Sequence, residues 1–480
     1  MGRWYNVAKG VDSMSDFMNL VFYYLERAVI LAVGVLPVAG GLIFAAFRIH
    51  RKKYGDSRKF PWMKAMLILM LAAYLMGLLY ITVIRSSISG WRNINLHLFR
   101  AWREAWNTFS EKNWLNVLLN IGMFVPLGIL LPLLSPKLRK WYCMLPVGFL
   151  VTLTIEVIQY ISCRGLCDVD DLFANTLGAM IGYWLVMAVL SLRHRSWKKA
   201  LCHGVALVLT AASVGGVFVA YELQEYGNLP TAPAFRVDTS GVQWQLDCAL
   251  DDEASTVVIY KTSRKSSKEC EAIGRAFLES IGVDQVDVTV YNEEVYLREF
   301  YGNRIAEVFF ADGHLEYWDL NGIDYETVEY AEVGEEMLRS MLGEFGVEVP
   351  EVAELSYEGD GVHIFRVSRH IDGNTMTDGE LICTVERDFG LREFENRLIS
   401  FTYYGEAEII SAEAAVEQVK SGMISGGDWF ERVKPAEMHI LSCELAFQVD
   451  TKGFYQPVYE IFLESSDGSF STVAHIPAFR

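Results

Sequence analysis

The sequence predicts an α-helical transmembrane bundle of about six spans, followed by an extracytoplasmic α+β region of repeated helix-plus-antiparallel-sheet modules. Three observations carry this. The chain is 52% hydrophobic yet has a net charge of −18. Residues 1–220 carry 23 Lys and Arg against 10 Asp and Glu, a net of +13, and the remainder carries 19 against 50, a net of −31. The first part is written in long apolar runs and the second in short alternating ones. Such asymmetry places the two parts in different environments rather than in one globular body.

Six apolar runs approach the roughly 20 residues that a hydrocarbon core of about 30 Å demands. They are 28–47, 65–84, 114–134, 141–161, 172–192 and 200–221. Pro37 and Pro126 lie inside runs, which membrane helices tolerate because neighbouring groups re-satisfy the freed backbone. The loops after the first, third and fifth runs hold 14 basic residues. The opposite loops hold 6 (Arg85, Arg92, Arg100, Arg103, Lys112 and Arg164), or 9 with Arg3, Lys9 and Arg27. The excess of basic residues on the first set makes those loops cytoplasmic and puts both termini outside. No cleavable signal peptide is expected, since the first apolar run follows 27 mostly polar residues. The expected divisions are a transmembrane region over 1–221, a linker with first strands over 222–265, and an outer region over 266–480.

Cysteines fit this plan without fixing it. Cys143 and Cys202 read as apolar fillers. Cys163 and Cys167 either close a short disulfide or remain thiols, and Cys248, Cys270, Cys383 and Cys443 leave one or two outer bridges open. No Cys/His spacing suggests a metal site, and no cofactor is expected.

The polar residues can then be placed by depth. Glu156 and Gln159 share a face at i, i+3 near the outer end of the fourth run. The fifth run returns inward from Asp168, Asp170 and Asp171, with Asn175 one turn below Asp171 and Gly178 and Gly182 continuing that face. Asn113, Asn116 and Asn120 start the third run at i, i+3, i+7, and Tyr80, Thr82 and Arg85 end the second. All fall in the outer half of the membrane. For the Asn and Thr residues the favoured reading is glue between helices, averaging about 0.6 kcal/mol each, with Gly178-x-x-x-Gly182 as a packing surface. For Glu156 with Arg164, Asp168 and Asp171 the favoured reading is a site. An acid at membrane depth costs roughly 2.5 to 3.5 kcal/mol, and packing does not require several. Arg164 is left three roles: pairing Glu156, pairing Asp168, or offering a fork to phosphate or carboxylate. His203 is expected to be structural.

These residues also carry a resemblance. Asn116-Val-Leu-Leu-Asn120 running into Phe124-Val-Pro126-Leu-Gly128, then Glu156-x-x-Gln159, Arg164, Asp168-Val-Asp170-Asp171 and Asn175-Thr-Leu-Gly178-Ala-x-x-Gly182, resemble the VanZ-like membrane family. Tyr80-x-Thr82 and Ile94-Asn95-Leu96 resemble its preceding helix and outer loop, and His97 departs from the apolar or proline turn usual there. The likeness covers about residues 70–192. It implies a link to teicoplanin resistance and does not imply catalysis.

The acidic region alternates helix and strand signals. Residues 268–281 read as an amphipathic helix, followed by strands over 286–291, 295–301 and 305–310. A second copy has a helix over 333–345 and strands over 355–357, 362–368 and 381–387. A third starts at Ser411, an expected N-cap, and ends in strands over 439–448, 458–463 and 470–475. The modules span about 266–322, 331–404 and 409–480. The last, with Ser-Ala-Glu-Ala-Ala before a helix and Gln456-Pro457-Val458-Tyr459 opening a strand, is similar to YycH/YycI-like and PepSY-like extracytoplasmic folds.

No nucleotide loop, nucleophile elbow or HExxH is present, and an acidic, largely external chain disfavours nucleic acid. Three functions stay open. One is a cell-envelope factor in glycopeptide resistance. Its outer-leaflet pocket of Glu156, Gln159, Arg164, Asp168, Asp171, Asn175, Asn116, Asn120 and Arg85 would bind a glycopeptide, a membrane lipid or a lipid-linked wall precursor. The second is an extracytoplasmic sensor with a membrane-protein partner. The third is a membrane enzyme acting on a lipid head group, with Glu156 as acid or base. The two resemblances together imply the plasma membrane of a bacterium, with the C-terminal region outside.

Overall fold

A computed structural model describes residues 60–84, 94–250, 255–291, 294–310, 312–321, 329–387 and 390–480, with short stretches between 40 and 53. Most of the first expected span, with Pro37, and the site candidate Arg85 lie outside the described residues. The chain divides into a helical unit reaching Ala105 and resuming over Glu111–Glu225, and a sheet unit of Trp106–Ser110 with Tyr226–Arg480.

The helical unit contains α1 (Trp62–Leu79), α2 (Arg100–Thr108), α3 (Glu111–Leu134), α4 (Trp141–Ser162), α5 (Val169–Arg193) and α6 (Trp197–Leu223). Five of these, all but α2, are long and apolar enough to cross a membrane. Their sequences explain their surfaces. In α6 only Ala200 and Tyr221 are buried, while Leu201, Val208 and Leu209 are exposed, as apolar side chains are when the solvent is lipid rather than water. By contrast α3 and α5 bury a stripe each, centred on Phe124 and Leu127 against Ala179 and Tyr183. Their close approach has a covalent cause. A Cβ on Gly178 would overlap the carbonyl oxygen of Ile121, one on Gly182 that of Val125, and one on Gly128 that of Ala179. Small residues let the backbones meet where lipid supplies no hydrophobic drive.

Prolines 126 and 132 sit inside α3 and Pro146 inside α4. Helix α4 ends where Cys163 adopts φ 53° and Gly165 φ 87°, a left-handed turn. The chain then makes a short strand β2 (Cys167–Asp168) that pairs in parallel with β1 (Ile94–Asn95) before entering α5.

The sheet unit is built on one 14-stranded sheet. Its strands are β3 (Gln243–Leu246), β4 (Thr256–Lys261), β5 (Val286–Tyr291), β6 (Glu294–Glu299), β7 (Arg304–Phe309), β8 (Leu315–Asp319), β9 (Glu354–Gly359), β10 (Val362–Asp372), β11 (Thr375–Val385), β12 (Leu391–Asn396), β13 (Ile399–Glu408), β14 (Glu437–Val449), β15 (Phe454–Ser465) and β16 (Ser471–Pro477). The order runs β3-β14-β15-β4-β13-β11-β12-β8-β7-β6-β5, with β10 on β11, β9 on β10 and β16 on β15. Within it β3 pairs in parallel with β14, and the other pairings are antiparallel. Helices α7 (Ser267–Ser280) and α8 (Glu335–Glu344) cover one end, sharing a core in which Leu278, Leu338, Phe365 and Phe394 are buried. Truncating a phenylalanine there costs about 3–5 kcal/mol. Helices α9 (Ala412–Lys420) and α10 (Gly427–Val433) cover the other, against Ile440, Ile461 and Phe470.

Local rules explain the helix starts. Ser266 and Glu269 form a reciprocal capping box on α7. Ser411 caps α9 as expected, accepting from the Ala414 N–H at 3.3 Å. Asp450, 3% exposed, accepts from the backbone N–H groups of Gly227 (2.6 Å), Lys452 (2.7 Å) and Phe454 (2.9 Å) and from the Gln456 amide. It thereby ties the start of the unit to the β14–β15 hairpin. All eight cysteines are free thiols, so neither the Cys163–Cys167 bridge nor an outer bridge is formed.

Candidate functional site

The site is organised by the first turn of α5, where Asp168 and Asp170 meet backbone N–H groups of two helix starts and Asp171 meets a side-chain amide. Asp168 caps the helix, its Oδ1 accepting from the Asp170 N–H at 2.8 Å. The same oxygen accepts the Asn95 amide at 2.8 Å, because the β1–β2 register sets Asn95 opposite Asp168. Burial pushes the Asp168 carboxyl above the usual aspartate range, and these two bonds and the charge of Arg100 pull it back. Asp170, 2% exposed, caps a second helix. Its oxygens accept from the Phe99 N–H and from the Ala101 N–H at 2.7 Å, fixing the entry to α2. Asp171 accepts the Asn120 amide and so joins α5 to α3.

Behind this turn lies a buried polar layer between α4, α5 and the π-helical turn Tyr80–Ile84 that continues α1. Glu156 is 2% exposed, and its Oε2 accepts the Asp168 N–H at 2.9 Å. Gln159 donates its amide to the Thr82 carbonyl at 3.0 Å. Asn175 donates to the Thr152 hydroxyl at 2.9 Å. The carbonyl oxygens of Gln159 and Asn175 are buried without a hydrogen-bond partner.

In front of the turn is a small cavity of about 90 Å³, lined by Trp102, Asn116, Asn120, Asp170 and Asp171 among others. Asn113 and Glu104 line it too, the latter paired with Arg100 at 2.8 Å. The cavity offers amides, carboxylates and an aromatic ring, a set suited to donor-rich polar groups. It is smaller than the roughly 150 Å³ cavity that holds a benzene ring, so it admits a fragment of a large molecule, not the whole.

The structure therefore divides the sequence candidates. Asn116, Asn120 and Asp171 line the cavity, while Glu156, Gln159 and Asn175 lie in the buried layer, and Asp168 stands between. Arg164 sits in the turn after α4, its N–H donating to the Gln159 carbonyl at 3.0 Å. The donors to Glu156 and Asp168 are N–H groups and Asn95, and the cation acting on Asp168 is Arg100. Gly178 and Gly182 lie on the α3–α5 contact. His203 stacks edge-on against Tyr183 at 5.7 Å. Sequence reasoning passed over Thr152, Trp102 and the capping role of Asp170. Thr152 had a signal, being one turn before Glu156 on the same face. Trp102 had none, since its place depends on how Asp170 holds α2.

Residues 71–191 match the family model VanZ/LLP1. This segment is VanZ-like. It contains every residue of the cavity and of the buried layer, and the five helices of membrane-spanning character lie within it or flank it. The protein is a membrane protein with a VanZ-like segment and a β-rich C-terminal region. No curated protein matches the chain. Among solved structures, the Bacillus megaterium YpeB C-terminal domain aligns at 11% identity over 44% of this chain and 98% of its own, with a TM-score of 0.18.

Proposed function

We propose that this VanZ-like protein is a cell-envelope factor in glycopeptide resistance of the teicoplanin type, acting at the outer leaflet of a bacterial plasma membrane with its sheet unit outside. Its cavity binds a polar fragment of a lipid-linked wall precursor or of the glycopeptide itself. The observation that carries the reading is the cavity at Asp171 and Asn120, lined by Trp102 and bordered by the Asp170 cap on α2. Intramembrane acids mark pathways and ligand sites, and two acids, Asp170 and Asp171, line this cavity.

The test pairs Asp171→Asn with Asn120→Leu in a host made teicoplanin-tolerant by the intact gene, and measures lipid-linked precursor and teicoplanin binding to the purified protein. Loss of tolerance together with at least about tenfold weaker binding of one of the two is expected, a tenfold change corresponding to about 1.4 kcal/mol. Unchanged tolerance and unchanged binding in both variants would sink the reading. Deleting residues 230–480 separates the sensor alternative: tolerance retained with an envelope-stress response abolished favours a sensor.

A further inference from the structure

The buried layer behind the cavity has an imbalance that the proposed ligand does not address. Thr152, Glu156, Gln159 and Asn175 are 0%, 2%, 9% and 4% exposed. Within α4, Glu156 stands one turn after Thr152 and one turn before Gln159, so all three share a stripe. Asn175 is fastened to Thr152 by its amide nitrogen, which brings its carbonyl end to the same stretch of α4. Gln159 is fastened by its nitrogen to Thr82. Each amide nitrogen thus has an acceptor, while both carbonyl oxygens are left without a donor. On the α4 stripe between Thr152 and Gln159 stands Glu156, a carboxylate whose bond comes from one backbone N–H. The neighbouring Asp171 is bonded by an amide, and among the described residues neither acid is bonded by Lys, Arg or His.

An uncompensated carboxylate beside two buried acceptors costs several kcal/mol. A proton on Glu156 would supply one donor for two orphaned oxygens. A bare cation serves both oxygens and the charge together, and one carboxylate with two amide oxygens is a hard, all-oxygen donor set. A donor set with a single negative charge suits a singly charged ion better than a divalent one. We propose that this layer binds an alkali-metal ion, held by the Glu156 carboxylate and the side-chain oxygens of Gln159 and Asn175. The ion site goes beyond the ligand reading and stands without it. Asp168 and Asp171 at the start of α5 add negative potential from the cavity side, and Arg100 is balanced by Glu104.

The experiment uses the full-length protein in lipid nanodiscs, with no glycopeptide or precursor present. Thermal unfolding is followed while NaCl or KCl replaces choline chloride at constant ionic strength and pH. The wild type is expected to unfold at rising temperature as the alkali ion increases, since a ligand bound to the folded state stabilises it in proportion to the logarithm of its concentration. Glu156→Gln is expected to show no such rise, and Asn175→Leu to need about tenfold more salt for the same shift, as loss of one supporting ligand typically does. Calorimetric titration of the wild type with NaCl covers the case in which Glu156→Gln does not fold. Equal unfolding in choline and alkali salts overturns the proposal, as does an alkali effect that survives in Glu156→Gln. A dependence on pH alone, with no heat on adding NaCl or KCl, assigns the charge to a proton and overturns it equally.

Discussion

At His314, burial opposes the charged ring, but bonds to Asp312 (3.3 Å) and Glu316 (3.1 Å) win and push its pKa up to about 9. The strand registers explain why a cation is wanted there. Glu307 lies opposite Glu316 and Glu316 opposite Glu395, a row of carboxylates across β7, β8 and β12. Like charges so placed repel, and Arg397 bridges two of them at 3.0 and 2.7 Å. Glu307, half-buried and beside Glu294 and Glu316, is pushed up to about 7. Both groups hold a proton more firmly folded than unfolded. The Glu307 contribution is complete below pH about 4.5 and lost as pH rises through about 7; that of His314 is complete below about 6.5 and lost through about 9. The sheet unit should therefore gain stability on acidification from pH 9 to 5. His314→Gln should cost on the order of 3 kcal/mol at pH 6 and little above pH 9, since each tenfold gain in proton affinity on folding is worth about 1.4 kcal/mol. Denaturant unfolding of both proteins across this range checks it, and a pH-independent difference would show that the ring acts by packing alone. Asp450→Ala should be costly at any neutral pH, by about 3 kcal/mol or more, because four donors lose their acceptor together. Raised proteolytic sensitivity near Tyr226 would report it.

Among the elements, α3 and α5 form the contact on which the site depends, since Asn120 and Asp171 face each other across it. The glycine spacing of α5 was legible in the sequence, and so was its use in close helix contact. That Gly128 of α3 reciprocates against Ala179 was not, because one helix alone does not say which carbonyl it will meet. Gly178→Val should separate the helices, lower the unfolding temperature by several degrees and weaken ligand binding at Asn120 and Asp171. Gly215→Val on α6, where a Cβ has open space, should do neither. Equal behaviour of the two variants in a thermal-shift assay would contradict the packing account. The strands read similarly: alternation located β5 to β7 within a residue or two, because each hairpin is local. The parallel pairing of β3 with β14 joins segments about 190 residues apart and left no mark on either one.

For the whole molecule, the orientation expected from the basic loops, with the sheet unit outside, is open to direct measurement. Ser240→Cys in a cysteine-free background should react with a membrane-impermeant maleimide on intact cells, and Ser196→Cys, in the turn between α5 and α6, should react only after lysis. The reverse pattern would invert the topology and move the cavity to the cytoplasmic leaflet. The sequence by itself determined the division into a membrane part and an acidic α+β part, and the helix face of each polar residue. Both follow from hydropathy and from the 3.6-residue period, which are properties of single segments. Only the tertiary structure decided the partners. Asn95 reaches Asp168, Arg100 lends it charge, and Thr152 receives Asn175. It also separated one run of costly polar residues into an open cavity and a closed layer. A helical period fixes which face a side chain occupies, but what that face meets is set by the packing of helices distant in the chain.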